Sequence, residues 1–169
     1  MNEIKISNQI WMCSNLDVDH YRNGDLIPQV TDDAEWSALP TGAWCYYDNT
    51  PKNGGKFGKL YNWYAVNDSR GLAPDGWHIP SKEEFYELLD AAETDNFNVL
   101  FGGFRSDGGV FKDLGDLGGS VGFFWSASPL KSSSAWIMYL YLDLDSGNCY
   151  ASLINGGYAG GFYVRCIKD

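Results

Sequence analysis

The residues that could do acid–base or nucleophilic chemistry near neutral pH are two histidines, His20 and His78, and four cysteines, Cys13, Cys45, Cys149 and Cys166. His20 has no sequence partner that suggests a triad. No cysteine pair has CxxC spacing, which argues against a zinc ribbon or a thioredoxin-like motif. If the two chain ends pair as strands, Cys13 and Cys166 come close enough for a disulfide; buried free thiols are the other reading. Asp143-Leu144-Asp145-Ser146-Gly147 sets two carboxylates two apart beside a glycine, which loosely suits calcium. The EF-hand pattern with its closing Glu is absent, however, and a strand followed by a turn accounts for the same residues. No catalytic residue, metal site or cofactor is expected.

The chemistry that remains is binding. Tyr139, Tyr141, Asp143, Asp145, Asn148, Tyr150, Ser152, Asn155 and Tyr158 are the types that antibody paratopes favour. Tyr offers large contact area at low entropy cost, while Ser, Asn and Gly adapt their hydrogen bonds. With Trp136 they form the candidate ligand-binding set, within a region spanning 132–160. Alternate side chains of a strand share a face, so Tyr139, Tyr141 and Asp143 are expected to point outward while Leu140, Leu142 and Leu144 pack inward. The competing reading is a set of tyrosines that simply covers a sheet.

The elements that must hold these residues are legible in outline. Apolar residues at Ile4, Ile6, Ile10, Met12 and Leu16 nearly alternate and read as a strand or hairpin. Thr31 to Leu39 reads as a short helix capped by Thr31, with Asp32 and Asp33 at its positive end. Trp44 to Tyr47 reads as a short strand, Asp48 to Gly58 as a loop on composition, and Leu60 to Val66 as a short helix on its apolar spacing. Ser81 to Ala92 carries the strongest signal. Ser81 and Glu84 form a capping box, Phe85, Leu88, Leu89 and Ala92 an apolar stripe, and Glu83, Glu84, Glu87 and Asp90 a solvated face. Short strand pieces alternate with turns from Asn98 to Val121. Four further strands are expected at Phe123 to Ala127, Ala135 to Leu144, Tyr150 to Ile154 and Phe162 to Ile167. Strands, then one or two helices, then many strands give an α+β fold with an antiparallel sheet.

Composition bounds the function. A chain of 169 residues is expected to be one domain, 1–169. A net charge of −10, with 12 scattered Lys and Arg, argues against nucleic acid and against an anionic membrane surface. No apolar run spans a bilayer, and Met1 to Met12 lacks the basic start and apolar block of a signal peptide. The 7 Trp, 11 Tyr, 9 Phe and 20 Gly are enough to build a core and also furnish a binding face.

Several stretches resemble the Fibrobacter succinogenes major paralogous domain. The most specific are Gly58 to Asp68, GKLYNWYAVND, then Arg70 to Pro74, RGLAP, and Gly76-Trp77-His78-Ile79-Pro80-Ser81 with Glu84. Asn8 to Met12 with Asn15-Leu16, Trp44 to Asn49, Gly102-Gly103-Phe104-Arg105, Trp125-Ser126-Ala127-Ser128 and Val164 to Asp169 also fit. The resemblance implies a C-type-lectin-like fold with two short helices, antiparallel sheets, paired N- and C-terminal strands and a loop-rich binding face. The chain departs from the family pattern after the Ser81 helix, where Asn98 to Gly103 follows almost at once and long inserted loops are missing. The family-like Trp-His-Ile-Pro motif implies a structural role for His78. Enzymes that resemble this fold use a close cysteine pair; Cys149 and Cys166 stand 17 apart, so that activity does not carry over. The Glu-Pro-Asn and Trp-Asn-Asp motifs of calcium-dependent lectins are absent.

Members of this family and of the wider fold are targets of diversity-generating retroelements, whose randomised NNY codons cannot encode Trp, Met, Gln, Lys or Glu. Those five types make up 26 of the 169 residues, yet none occurs from Tyr139 to Val164. A Gly/Tyr-rich set of strands and turns avoids Lys and Glu for its own reasons. The resemblance implies a non-enzymatic recognition domain of the receptor or adhesin type, on a cell or virion surface, with a diversified C-terminal face. Its partner would be a protein or glycan on a cell surface, with no nucleic acid and no membrane insertion. The alternative is an unvaried structural or carbohydrate-binding surface module.

Overall fold

The two ends of the chain meet in one sheet. The computed structural model describes residues 2–91, 97, 100–112 and 119–169. Strands β1 (Glu3–Ile6) and β2 (Gln9–Met12) form a hairpin with Glu3 opposite Met12. Ser7 turns it at φ 52. Then follow α1 (Asp33–Ser37), β3 (Trp44–Cys45), α2 (Pro51–Phe57), β4 (Leu60–Tyr61), α3 (Trp63–Val66), β5 (Trp77–His78) and α4 (Lys82–Asp90). The second half holds β6 (Phe104–Arg105), β7 (Phe111–Lys112), β8 (Gly119–Lys131), β9 (Ser134–Asp143), β10 (Cys149–Gly157) and β11 (Ile167–Lys168).

The first sheet runs β1-β2-β11-β5 and the second β10-β9-β8, with two-stranded β3-β4 and β6-β7 beside them. All ladders between these strands are antiparallel. This is the expected α+β architecture with paired chain ends, though with four α-helices rather than two among the described residues. The expected strand at Phe162 to Ile167 is instead a seam. Gly161 exchanges backbone hydrogen bonds with Arg105, and Phe162 does so with Tyr61. Tyr163 donates to Phe123 and accepts from Trp125. One short segment thus ties β4, β6 and β8 together before the chain ends in β11.

Local chemistry explains most elements and corrects some expectations. Helix α4 begins as expected: the Ser81 hydroxyl accepts from the Glu84 amide, and the Glu84 carboxylate accepts from the Ser81 amide. Phe85 and Leu88 are buried; Ala92, the last residue of the expected stripe, lies outside the described residues. Glu84 is only partly exposed, because its carboxylate is engaged by Ser81 and His78. Helix α1 is capped by Asp32 rather than Thr31, through a 2.8 Å bond from the Glu35 amide. The Thr31 carbonyl is spent on Asn49 and Arg105 instead.

The stretch from Asp48 to Gly58 is not a loop. Pro51 opens α2 at a position where its missing N–H costs nothing, Phe57 is buried, and Gly54 lies so close to Tyr46 that a Cβ would stand 2.1 Å from its ring. Tertiary packing overrides the poor helix propensity of the two glycines. Leu60 and Tyr61 form a strand against Trp44 and Cys45, and the helix starts only after Asn62.

The β8–β9 pair is buried on both faces. Val121, Phe123, Trp125, Ala135 and Ile137 belong to one apolar cluster; Phe124, Met138 and Leu140 belong to another, with Phe85 and Leu88 of α4. Two arginines are wholly buried, Arg105 and Arg165. Cys13 and Cys166 lie on the adjoining ends of β2 and β11, where the Met12 amide donates to the Cys166 carbonyl, but they remain separate thiols. Burial pushes the Cys45 and Cys166 thiols up to about 12. Among the described residues no helix is long and apolar enough to cross a membrane.

Candidate ligand-binding surface

The strand register sorts the ten candidate residues into four places. Tyr150 pairs with Tyr141 and Ser152 with Tyr139, so these four share one face of β9 and β10. Cross-strand partners Asn155 and Trp136 share the other face, where the Lys82 ammonium lies 5.6 Å from the Trp136 ring. Asp143, Asp145 and Asn148 belong to the turn between the strands. Tyr158 lies beyond β10, against α3.

The tyrosine face is anchored from within. Tyr139 packs on Phe123 at 5.1 Å, and Phe123 in turn on Phe104 at 4.6 Å and Phe162 at 5.6 Å. Tyr141 stacks on Tyr150 at 6.2 Å and 24°. Exposure rises outward along this row: Tyr139 and Tyr141 are half-buried, and Tyr150 on the edge strand is 54% exposed. The expected division into outward tyrosines and inward leucines therefore holds only in part. Leu140 is buried and Leu142 partly so, but Leu144 is 61% exposed in the turn. The reason is that β9 is a central strand covered on both faces only up to Leu140, while the ladder ends before Leu144.

The turn is closed by Asp143. Its carboxylate accepts from the Asp145 and Ser146 amides and from the Ser146 hydroxyl at 2.8 Å. The Ser146 hydroxyl first, then the two amides, hold the Asp143 carboxyl below its ordinary range. Gly147 at φ 72 completes the reversal and Asp143 bonds Asn148 through the backbone. Asp143 thus serves the turn, whereas Asp145 and Asn148 are exposed. Below the other end of β10, Gly157 is needed as glycine, since a Cβ there would stand 2.1 Å from an Asp107 carboxylate oxygen.

Tyr158 lines a separate cleft with Trp63, Tyr64, Asn67, Asp68 and Arg70. None of these partners was picked out as a site residue by the sequence. The signal was present only as the family-like text from Gly58 to Arg70, which does not say that Tyr158 folds back onto it.

His78 sits between two carboxylates, with Nε2 2.8 Å from Glu84 and Nδ1 2.8 Å from Asp169. Both ring nitrogens are engaged, so the residue clamps β5 and the chain end to α4. Burial would lower its pKa, but the bonds to Glu84 and Asp169 outweigh burial and hold it above the ordinary histidine value. Burial would raise the Glu84 pKa, but the Ser81 amide and His78 outweigh it and hold it below the usual range. A raised histidine pKa stabilises the fold fully below the unfolded value of about 6.5 and loses that contribution as pH rises through the folded pKa. The lowered Glu84 pKa contributes above its unfolded value and is lost as pH falls through its folded one. Urea midpoints measured across this range are expected to fall on the alkaline side of the histidine titration in the native chain, with that dependence flattened in His78→Gln. An unchanged pH profile in the variant would remove the clamp from the account.

Residues 4–96 match the Fibrobacter succinogenes major domain. The matched span carries the hairpin, helices α1 to α4 and His78, and stops before the tyrosine strands. No curated protein and no solved structure matches the chain.

Proposed function

The chain belongs to the Fibrobacter succinogenes major domain family, and from that premise we propose that it is a non-enzymatic ligand-recognition domain on a C-type-lectin-like scaffold. Its binding surface is the β9–β10 face with the adjoining turn, and its ligand is a protein or glycan at a cell surface. The observation that carries this reading is the Tyr141–Tyr150 stack, half open to solvent on strands whose inner neighbours lock into the core. Rigid, amphipathic aromatics on a fixed frame lose little entropy on binding. Paired chain ends and an antiparallel core sheet support the scaffold assignment. The net charge of −10 favours a partner without clustered phosphates.

The same surface suits diversification by a retroelement. Tyr139, Tyr141, Asp145, Asn148, Tyr150 and Ser152 all offer side chains at the surface or its margin, while Met138, Leu140, Gly156 and Gly157 are held by packing. Codon-resolved sequencing of this gene from its native population tests the reading. Substitutions are expected at template-adenine codons of the first group and absent from the second. Substitutions spread evenly through the gene, or tyrosines that never vary, would leave an unvaried surface module instead.

A further inference from the structure

The open cleft beside Tyr158 holds about 490 Å³, within the range of small-molecule sites. Part of its lining is a fixed aromatic wall. The Tyr158 ring stacks on Trp63 at 5.5 Å and 14°, and meets Tyr64 edge-on at 5.9 Å. Its hydroxyl donates to the Lys131 carbonyl at 2.9 Å, and its own carbonyl accepts from the Trp63 amide at 3.0 Å. Trp63 in turn packs on Trp125 at 5.3 Å.

The rest of the lining is polar and equally fixed. Asp68 Oδ1 accepts from the Arg70 amide and Nε, both at 2.9 Å, and Oδ2 accepts from Nη2 at 2.8 Å. Arg70 Nη1 reaches Asp25 at 3.2 Å, and the guanidinium lies 4.0 Å over the Tyr21 ring. These bonds leave guanidinium N–H groups of Arg70 uncommitted, at positions set before any ligand arrives. Gly42, which also lines the cleft, admits no side chain, since a Cβ would stand 2.0 Å from the buried Tyr21 hydroxyl. Two carboxylates around one guanidinium give no net positive charge, which disfavours an anion. An aromatic corner, Tyr158 set edge-on to Tyr64 at 73°, beside preset donors and acceptors matches a ring with one C–H face and a rim of hydroxyls.

We propose that this cleft binds a neutral hexopyranose, with the C–H face of the sugar against a ring of the Tyr64–Tyr158 corner and its hydroxyls bonded to Asn67, Asp68 and Arg70. The site uses none of Tyr139, Tyr141 and Tyr150, so it stands or falls apart from the strand face. Amide shift mapping of the full chain with methyl glucopyranoside, methyl galactopyranoside and methyl mannopyranoside tests it. At least one glycoside is expected to give saturable shifts at Trp63 and residues 67–70, with a dissociation constant of about 1 mM, on the order of −4 kcal/mol. Asn67→Ala, an exposed position, and Tyr64→Ala are each expected to weaken that binding about tenfold, through a lost hydrogen bond or lost contact area. Tyr86→Ala, an exposed α4 position outside both surfaces, should leave it unchanged. No saturable shift with any of the three glycosides, or shifts indifferent to both cleft variants, would overturn the proposal, as would loss of binding in Tyr86→Ala.

Discussion

Replacing Arg105 by methionine is expected to cost about 3–5 kcal/mol of folding stability, from buried carbonyls left short of a donor at about 1–3 kcal/mol each and from lost stacking. Such a loss is a third or more of the roughly 5–15 kcal/mol that holds a typical domain together. Arg105 is wholly buried, sandwiched between Trp36 at 4.5 Å and Phe111 at 4.8 Å. Its guanidinium donates to the carbonyls of Gly109 at 2.6 Å, Val30 at 2.8 Å and Thr31 at 3.0 Å, and to Asp33 at 2.8 Å. Methionine fills much of the volume but leaves the Gly109 and Val30 carbonyls without the guanidinium and takes one of two donors from the Thr31 carbonyl. The Asp33 carboxylate is 56% exposed and so contributes least to the loss.

Lysine at the same position is expected to recover little, because an ammonium lacks the planar fork that reaches several carbonyls at once and stacks between two rings. Urea unfolding of both variants decides the point. A methionine variant within about 1 kcal/mol of the native chain would mean that water replaces the guanidinium at low cost.

A comparable loss, about 3 kcal/mol, is expected for Asn62→Ala, combining a helix cap with buried polar groups left unpaired. Asn62 is fully buried. Its Oδ1 accepts from the Ala43 and Ala65 amides, both at 3.0 Å, and its Nδ2 donates to the Thr41 carbonyl at 2.9 Å. One side chain therefore starts α3 and pins the preceding 41–43 segment to it. These are two of the walls of the Tyr158 cleft, so the variant should also lose glycoside binding in whatever fraction remains folded. Thermal and denaturant unfolding measure the first effect. A destabilisation near that of an exposed cap alone, about 1 kcal/mol, would show that the Thr41 and Ala43 bonds are replaceable.

Some of this architecture is readable from neighbours in sequence. The Ser81–Glu84 capping box needs only residues three apart, and the β1–β2 hairpin only local alternation about a turn. Both form where the text places them. Three of the four strands expected in the C-terminal third, β8 to β10, are likewise visible, because β-branched and aromatic runs broken by glycines favour extended chain whatever surrounds them, whereas Phe162 to Ile167 is a seam. Helix α2 is the opposite case. Lys52-Asn53-Gly54-Gly55-Lys56 is poor helix text, and the helix exists because Gly54 admits Tyr46 and Phe57 enters the core.

The candidate surface divides along the same line. The residue types from Tyr139 to Tyr158 suit binding without context, since tyrosine, serine and asparagine carry contact area and hydrogen-bonding groups in their side chains. Which of them cooperate is a property of pairing. Register joins Tyr141 to Tyr150 and Tyr139 to Ser152, turn closure takes Asp143 out of the set, and the backbone path after Gly157 carries Tyr158 away to Trp63. The sequence by itself determined the inventory and the local starts and stops, because propensity and capping act over a few residues. Only the tertiary structure decided which side chains share a surface. Register, burial of both faces of β9 and the approach of Tyr158 to α3 depend on contacts between residues tens of positions apart, which no local pattern encodes.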